Sequence, residues 1–200
     1  MGFVSARFWI YLLIFVVAAN VLIYGVNDLA DTDTDLHNDK KGSYEIRLQK
    51  QQRASTVVAC GLAFGALVVS VVGQSMLTAV LMGIFLVLSI GYSVLPLRFK
   101  ARPIFDSVSN VLYAMPGFMA AAIWAPTSVI PFTAIAASWL WCMAMHTFSA
   151  IPDVTADKKA GLATTATWLG VRGALIYCGV CWLGSAVLLG VTLSNVLYGV

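Results

Sequence analysis

Residues 8–35 read FWIYLLIFVVAANVLIYGVNDLADTDTD. Positions 8–26 contain no charged side chain, and a helix of that length crosses a hydrocarbon core of about 30 Å. A polar and strongly acidic stretch follows at once, beginning with Asn27 and Asp28. This boundary predicts a membrane-spanning helix that ends at a charged loop.

The composition excludes several classes of protein. Of the 200 residues, 60% are hydrophobic and 10% are charged, and the mean hydropathy is +0.87. A soluble domain carries roughly 25% charged residues, and a disordered chain is far less hydrophobic. The formal net charge of +3 is too small to indicate a nucleic-acid partner. The four cysteines lie in apolar stretches and show no disulfide-like spacing.

Further apolar runs recur along the chain and predict a polytopic membrane protein. Six runs have a length suited to a membrane span: 8–26, 56–72, 76–97, 107–124, 130–151 and 174–193. We therefore expect an all-α bundle of about six transmembrane helices in contact with membrane lipid. We expect residues 1–200 to form a single domain.

The charged residues predict the orientation of this bundle. The chain has 21 charged residues, and all of them except Arg7 and Arg172 lie in 28–53, 98–106 and 153–159. These stretches follow the first, third and fifth spans, so they emerge on one membrane face. Because that face carries nearly all Lys and Arg, it is expected to be cytoplasmic in the cell membrane. The N-terminus would then lie outside, which leads us to expect a helix missing before it. Because the chain stops soon after the sixth span, we also expect helices missing at the C-terminus.

The first charged loop begins with an acidic cluster. If the helix continues, Asn27, Asp31 and Asp35 stack at i, i+4 and i+8, because each residue turns about 100°. Asp28 falls within the same arc, whereas Asp33 points away. Like charges one turn apart destabilise a helix, and a hard divalent cation with oxygen ligands relieves that repulsion.

A second acidic pair, Asp153 and Asp157, has the same i, i+4 spacing just after the fifth span. Two acidic clusters on one membrane face suggest a shared site. Mg²⁺ favours one or two carboxylates together with phosphate oxygens, so a diphosphate is the expected bridging ligand. The alternatives are solvated acidic loops or the ion path of a cation transporter.

The second charged loop supplies positive charge. Arg98, Lys100 and Arg102 alternate, so an extended segment would point them in one direction. Guanidinium and ammonium groups bind phosphate well. The other interpretation is a positively charged anchor at the cytoplasmic face.

Three polar residues beside or within the spans are further candidates. Asp106 and Asn110 share a helical face and would act as a base or polar contact near the reacting end of a substrate. Asp106 could instead pair with Arg102. His146 lies seven residues before Asp153 and would orient that carboxylate or move a proton, unless it is simply a hydrogen-bonded histidine within the membrane.

Three motifs together resemble the UbiA-type intramembrane prenyltransferases. The first is Asn-Asp-x-x-Asp-x-x-x-Asp at 27–35, the second is Tyr-Ser-x-x-Pro-x-Arg-x-Lys at 92–100, and the third is Asp-x-x-x-Asp at 153–157. The resemblance covers almost the whole chain. Members of that family usually have nine helices, and this chain resembles helices two to seven. The stretches 97–110 and 150–166 are most similar to the lycopene elongase branch.

The resemblance implies a Mg²⁺-dependent transfer of an allylic prenyl group from its diphosphate to a hydrophobic acceptor, expected to be a lycopene-type carotenoid end. It implies that the residues fall into three groups. The metal ligands would be Asn27, Asp31, Asp35, Asp153 and Asp157. The catalytic residues would be Asp31, Asp35, Asp153, Asp157 and Asp106. The substrate-binding residues would be Asn27, Asp28, Tyr92, Arg98, Lys100, Asn110 and His146. A quinone-precursor ring or another lipid is the alternative acceptor. An inactive truncated relative is the remaining alternative.

Overall fold

The long apolar runs of the sequence form helices. The computed structural model describes residues 5–31, 48–125 and 130–198, and every regular element in those ranges is helical. Four helices there are long and apolar enough to cross a membrane: Ala6–Ala30, Lys50–Ser70, Phe132–Lys159 and Thr165–Asn195. The predicted all-α membrane fold is therefore confirmed.

The chain divides into two compact units, Met1–Leu97 and Arg98–Val200. The described helices of the first unit are α1 (Ala6–Leu13), α2 (Asn20–Ala30), α3 (Arg53–Ser70) and α4 (Met76–Gly91), and a π-helical segment, Ile14–Ala19, joins α1 to α2. The widened turn leaves backbone carbonyls that need partners. Asn20 supplies one, because its side-chain amide donates to the Val16 carbonyl at 2.9 Å.

The core of the first unit is built from large apolar side chains. Phe15 and Phe85 are buried with their ring centroids 5.8 Å apart, and Leu67 is fully buried. Gly25 of α2 lies close to α3, since a Cβ atom there would stand 2.5 Å from the Cys60 sulfur. This close approach positions the end of α2, where the first acidic cluster begins.

The second unit contains the helices α5 (Phe105–Val108), α6 (Met115–Trp124), α7 (Phe132–Ala150), α8 (Val154–Lys159) and α9 (Thr165–Tyr198). A break in α9 lies at Gly170, whose φ of 67° suits a residue without a side chain. Two 3₁₀ segments, Ser109–Tyr113 and Ile151–Asp153, connect α5 to α6 and α7 to α8.

Helices α7 and α9 pack antiparallel along their length. Polar contacts link Thr133 with Thr192 at 2.6 Å, and the Ser185 hydroxyl donates to the Ala137 carbonyl at 2.8 Å. Nearer the other end, Cys178 is buried against Ala144. Small side chains permit this close packing, as is usual between membrane helices. The contact holds the α8 region, which lies between the two helices in the chain.

Two of the six expected spans differ in the structure. Met76–Gly91 is a shorter apolar helix of 16 residues. The region 107–124 is divided among α5, a 3₁₀ segment and α6 instead of forming one helix. The reason lies in its sequence: Ser107 and Asn110 are buried and hydrogen-bonded, and Pro116 cannot donate a backbone hydrogen bond within a helix.

The outward surface of the long helices is strongly apolar. Leu62, Val69 and Ile176 are each about two-thirds exposed or more, at 71%, 69% and 68%. A soluble protein rarely presents large contiguous apolar areas to water. Together with the four apolar helices, this surface identifies an integral membrane protein.

Candidate active site

The first acidic cluster lies at the end of α2. Asn27 and Asp28 occupy its last turns, and Asp31 follows the helix end, with its backbone N–H donating to the Asn27 carbonyl at 3.0 Å. Asn27 and Asp31 therefore lie one helical turn apart, as the spacing predicts. All three side chains are partly exposed. The remaining member of the motif, Asp35, lies outside the described residues.

A serine from the end of the same unit contacts this cluster. The Ser93 hydroxyl is buried and donates to the Asn27 side-chain oxygen at 2.9 Å. Tyr92, a predicted substrate-binding residue, is half-buried beside it in the chain. Sequence reasoning placed Ser93 in a motif and missed this contact, because 66 residues separate the two partners.

The second acidic pair lies at the turn between α7 and α9. Asp153 immediately precedes α8, Asp157 lies within it, and both are partly exposed. Val154 turns inward and packs with Ala166 of α9. The backbone N–H of Leu162 donates to the Asp157 carbonyl at 2.8 Å, which closes the turn after α8. The structure thus presents the pair on a short helix that is anchored to α9.

The basic segment is not extended, and that prediction is wrong. Phe99–Ala101 forms a 3₁₀ turn, and Arg98 before it adopts a left-handed conformation with φ of 39°. Lys100 is buried and Arg102 is exposed, so the three cations do not share one direction. The alternating pattern failed because backbone hydrogen bonds, such as Ala101 N–H to the Arg98 carbonyl at 3.1 Å, fold the segment into turns.

Asp106 is the most deeply buried acidic residue in the described ranges, with 1% of its surface exposed. Its carboxylate accepts two hydrogen bonds from Thr165, the first residue of α9: one from the backbone N–H at 2.8 Å and one from the hydroxyl. Burial raises the pKa of the Asp106 carboxyl, and the hydrogen bonds from Thr165 oppose that rise.

Two other predicted site residues lie beside Asp106. The Asn110 amide donates to the Asp106 backbone carbonyl, one turn away, as their spacing predicts. His146 of α7 has its Nε2 atom 3.9 Å from the Asp106 carboxylate. Sequence reasoning directed His146 towards Asp153 and missed this neighbour. The catalytic role of Asp106 and the binding roles of Asn110 and His146 remain predictions.

The donor types present suit the metal that the motifs imply. Asn27, Asp28 and Asp31 offer oxygen atoms in one unit, and Asp153 and Asp157 offer oxygen atoms in the other. Oxygen is the ligand that Mg²⁺ prefers. Among the described residues, no three His, Cys, Asp or Glu side chains are grouped closely enough to hold a metal ion. The remaining predicted ligand, Asp35, is outside those ranges.

Comparison with protein families gives a match along the whole chain. The model of the UbiA prenyltransferase family covers residues 1–200. Curated relatives named lycopene elongase/hydratase include proteins from Haloarcula japonica, 42% identical over 175 residues, and from Corynebacterium glutamicum, 31% identical over 198 residues. The match covers 87% of this chain and 58% of the Haloarcula protein, and 97% of this chain and 69% of the Corynebacterium protein. The chain thus spans little more than half the length of the Haloarcula relative.

Solved structures show the same fold. A UbiA homolog from Archaeoglobus fulgidus, bound to GPP and Mg²⁺, superposes with a TM-score of 0.75 at 22% identity, covering 92% of this chain and 65% of that one. An apo UbiA homolog from Aeropyrum pernix K1 gives a TM-score of 0.79 at 17% identity, covering 100% and 74%. At these identities the likeness concerns the fold alone.

Proposed function

Since this chain belongs to the UbiA prenyltransferase family, we propose that it transfers an allylic prenyl group from a diphosphate donor to the end of a lycopene-type carotenoid. The observation that carries the proposal is the Asn27 amide, which Ser93 holds beside Asp28 at a membrane-helix end. This hydrogen bond orients an oxygen atom that could bind a metal ion at the end of a membrane helix. The apolar prenyl chain and the charged diphosphate of the substrate would meet at that level. The family match along residues 1–200 supports a single prenyltransferase domain across both units.

The reaction requires charge neutralisation on the leaving group. Breaking the allylic C–O bond leaves a diphosphate anion and an allyl cation, and stabilising the developing charge lowers the barrier. Bound Mg²⁺ would supply Lewis-acid stabilisation of the diphosphate oxygens. The residues that would hold it are Asn27, Asp31, Asp35, Asp153 and Asp157. Solved structures of a UbiA homolog bound to GPP or DMAPP together with Mg²⁺ support a dependence on Mg²⁺.

The remaining predicted residues would bind and orient the donor. Arg98 and Lys100 contribute positive charge, and the partial burial of Lys100 strengthens its attraction to phosphate. Tyr92 offers an aromatic ring at the end of the apolar region, where a cation–π contact would stabilise an allyl cation. The apolar side chains of the membrane helices would keep water away from that cation.

The acceptor is proposed to be a carotenoid because the relatives at 42% and 31% identity are named lycopene elongase/hydratase. The experiment is expression in cells that make lycopene, followed by mass analysis of the carotenoids. The expected products are heavier than lycopene by one or two five-carbon units. The control is the Asp31→Asn variant, expressed at the same level.

An aromatic acceptor is the competing outcome. Membranes containing the protein should be given dimethylallyl diphosphate with either lycopene or 4-hydroxybenzoate. Prenylation of 4-hydroxybenzoate with lycopene untouched would overturn the carotenoid assignment and leave prenyl transfer intact. Mg²⁺ flux without any release of diphosphate would instead favour a cation transporter.

A further inference from the structure

One junction in the second unit joins the basic segment to the start of α9. Three hydrogen bonds meet at Thr165, which is 1% exposed. Its backbone N–H and its hydroxyl both donate to the Asp106 carboxylate, and its hydroxyl oxygen accepts from the Ile104 N–H at 2.7 Å. We refer to Ile104, Asp106 and Thr165 as the Thr165 junction.

The junction is strong for two reasons. The Asp106 carboxylate accepts two hydrogen bonds from one residue, and these fix its position relative to the start of α9. Hydrogen bonds to an ionised group are about twice as strong as neutral ones, and their loss leaves a buried acceptor without its partner. Thr165 is therefore a fixed point to which the preceding segment, through Ile104 and Asp106, is attached.

The attached segment has an unusual backbone that requires such support. Ile104 has φ of 73° and Arg98 has φ of 39°, and a β-branched residue rarely adopts positive φ. Strained residues of this kind persist when the surrounding structure holds them, and they are common at functional sites. The Ile104 N–H donates to Thr165, so the junction holds the chain three residues after the turn that carries Lys100.

The first turn of α9 also contacts the segment that follows the second acidic pair. Thr167, in the same first turn of α9, donates from its hydroxyl to the Leu162 carbonyl at 3.3 Å. The Leu162 N–H in turn donates to the Asp157 carbonyl at 2.8 Å. The contacts of Thr165 and Thr167 therefore hold the segment after the Lys100 turn and the segment after Asp157 against the same first turn of α9.

We infer that Asp106 and Thr165 are positioning residues, which hold Arg98 and Lys100 at a set spacing from Asp153 and Asp157. The inference rests on the proposed function, in which the basic and the acidic side chains serve one diphosphate. Asp106 acts through Thr165 and Ile104 and does not touch the acceptor. This role differs from the catalytic role that the sequence predicts for Asp106.

The test is binding of inorganic diphosphate in the presence of Mg²⁺, measured by calorimetry on the purified protein in detergent. Thr165→Val keeps the shape of the side chain and removes its hydroxyl, whereas Thr165→Ser keeps the hydroxyl. Thr192→Val is the matched control, because it removes a threonine hydroxyl that links α9 to a different element, α7, far from the Thr165 junction in the chain. Asp106→Asn provides a second, independent disruption of the same junction.

We expect Thr165→Val and Asp106→Asn to weaken diphosphate binding by about tenfold, the factor that corresponds to roughly one lost buried hydrogen bond. Thr165→Ser and Thr192→Val should bind within about twofold of the parent, because neither removes a hydrogen bond of the Thr165 junction. In turnover, the KM for the allylic diphosphate should rise while the KM for lycopene stays unchanged. A general loss of structure would not change one KM value and leave the other unchanged.

A double-mutant cycle with Arg98→Gln tests the mechanism. If the junction acts by positioning Arg98, Thr165→Val should have a smaller effect once Arg98 has been replaced. Additive effects would overturn the inference, and so would unchanged diphosphate binding in both Thr165→Val and Asp106→Asn. Normal diphosphate binding with slow lycopene turnover in Asp106→Asn would favour direct contact with the acceptor. A parent protein that binds no diphosphate with Mg²⁺ would contradict the proposed function itself.

Discussion

Ser93 donates its hydroxyl hydrogen bond to the side-chain oxygen of Asn27 at 2.9 Å, across 66 residues of sequence. Ser93 is 3% exposed, so this bond is shielded from water and constrains the amide group. Asn27 lies at the membrane-helix end that carries the first acidic motif. Ser93, which follows α4, therefore holds the side chain of Asn27, a proposed metal ligand, in place.

Replacing Ser93 with alanine should weaken the enzyme without unfolding it. We expect kcat/KM for the allylic diphosphate to fall by roughly fivefold, because a hydrogen bond that orients a ligand contributes about 1 kcal/mol. The Mg²⁺ concentration for half-maximal activity should rise. Ser89→Ala is the control, since Ser89 is buried in the same region and its hydroxyl only donates to the Phe85 carbonyl. Equal losses in both variants would contradict an orienting role.

The helical arc of the first motif predicts unequal effects of neighbouring aspartates. Asp31→Asn should reduce turnover by roughly 100-fold or more, because it removes one charge from a proposed metal ligand. Asp153→Asn should have a similar effect. Asp33→Asn should be mild, because Asp33 falls off the arc that the sequence predicts. Turnover measured at saturating Mg²⁺ would check this, and similar losses at Asp31 and Asp33 would show that the arc is wrong.

The close approach of Gly25 to Cys60 predicts that a larger residue at position 25 destabilises the first unit. Gly25→Ala places a methyl group 2.5 Å from the Cys60 sulfur, and overpacking of this kind costs about 1–3 kcal/mol. Gly61→Ala is the matched control, because its added Cβ meets nothing within 4 Å and alanine is the better helix former. Melting in detergent should show a lower melting temperature only for Gly25→Ala. Adding Cys60→Ala to that variant should restore it.

The charge distribution predicts that the three charged loops face the cytoplasm. Cysteines introduced at Ala101 and Lys159 should react with an impermeant maleimide only after the cells are permeabilised. A cysteine at Thr127 should react in intact cells. The native cysteines provide little background, since all four are buried. Labelling of Ala101→Cys in intact cells would reverse the orientation.

The sequence by itself determined the helices and the places where the acidic motifs begin. Long apolar runs form helices because their backbone polar groups must be satisfied internally in lipid. The run 107–124 is the exception, because it contains Ser107, Asn110 and Pro116 and is divided. The i, i+4 spacing of Asn27 and Asp31 likewise follows from local helix geometry, and the structure retains it. These features depend on nearby residues, which a sequence displays directly.

Only the tertiary structure decided which distant residues meet. Ser93 contacts Asn27 across 66 residues, and Asp106 contacts Thr165 across 59 residues, whereas the sequence offered for Asp106 only the neighbours Arg102 and Asn110. The turn around Lys100 was predicted as an extended segment because alternating charges do not show the backbone hydrogen bonds that fold it. Three residues later, the Ile104 N–H donates to Thr165 across 61 residues, because a backbone donor needs an acceptor and the packed fold brings this one within reach.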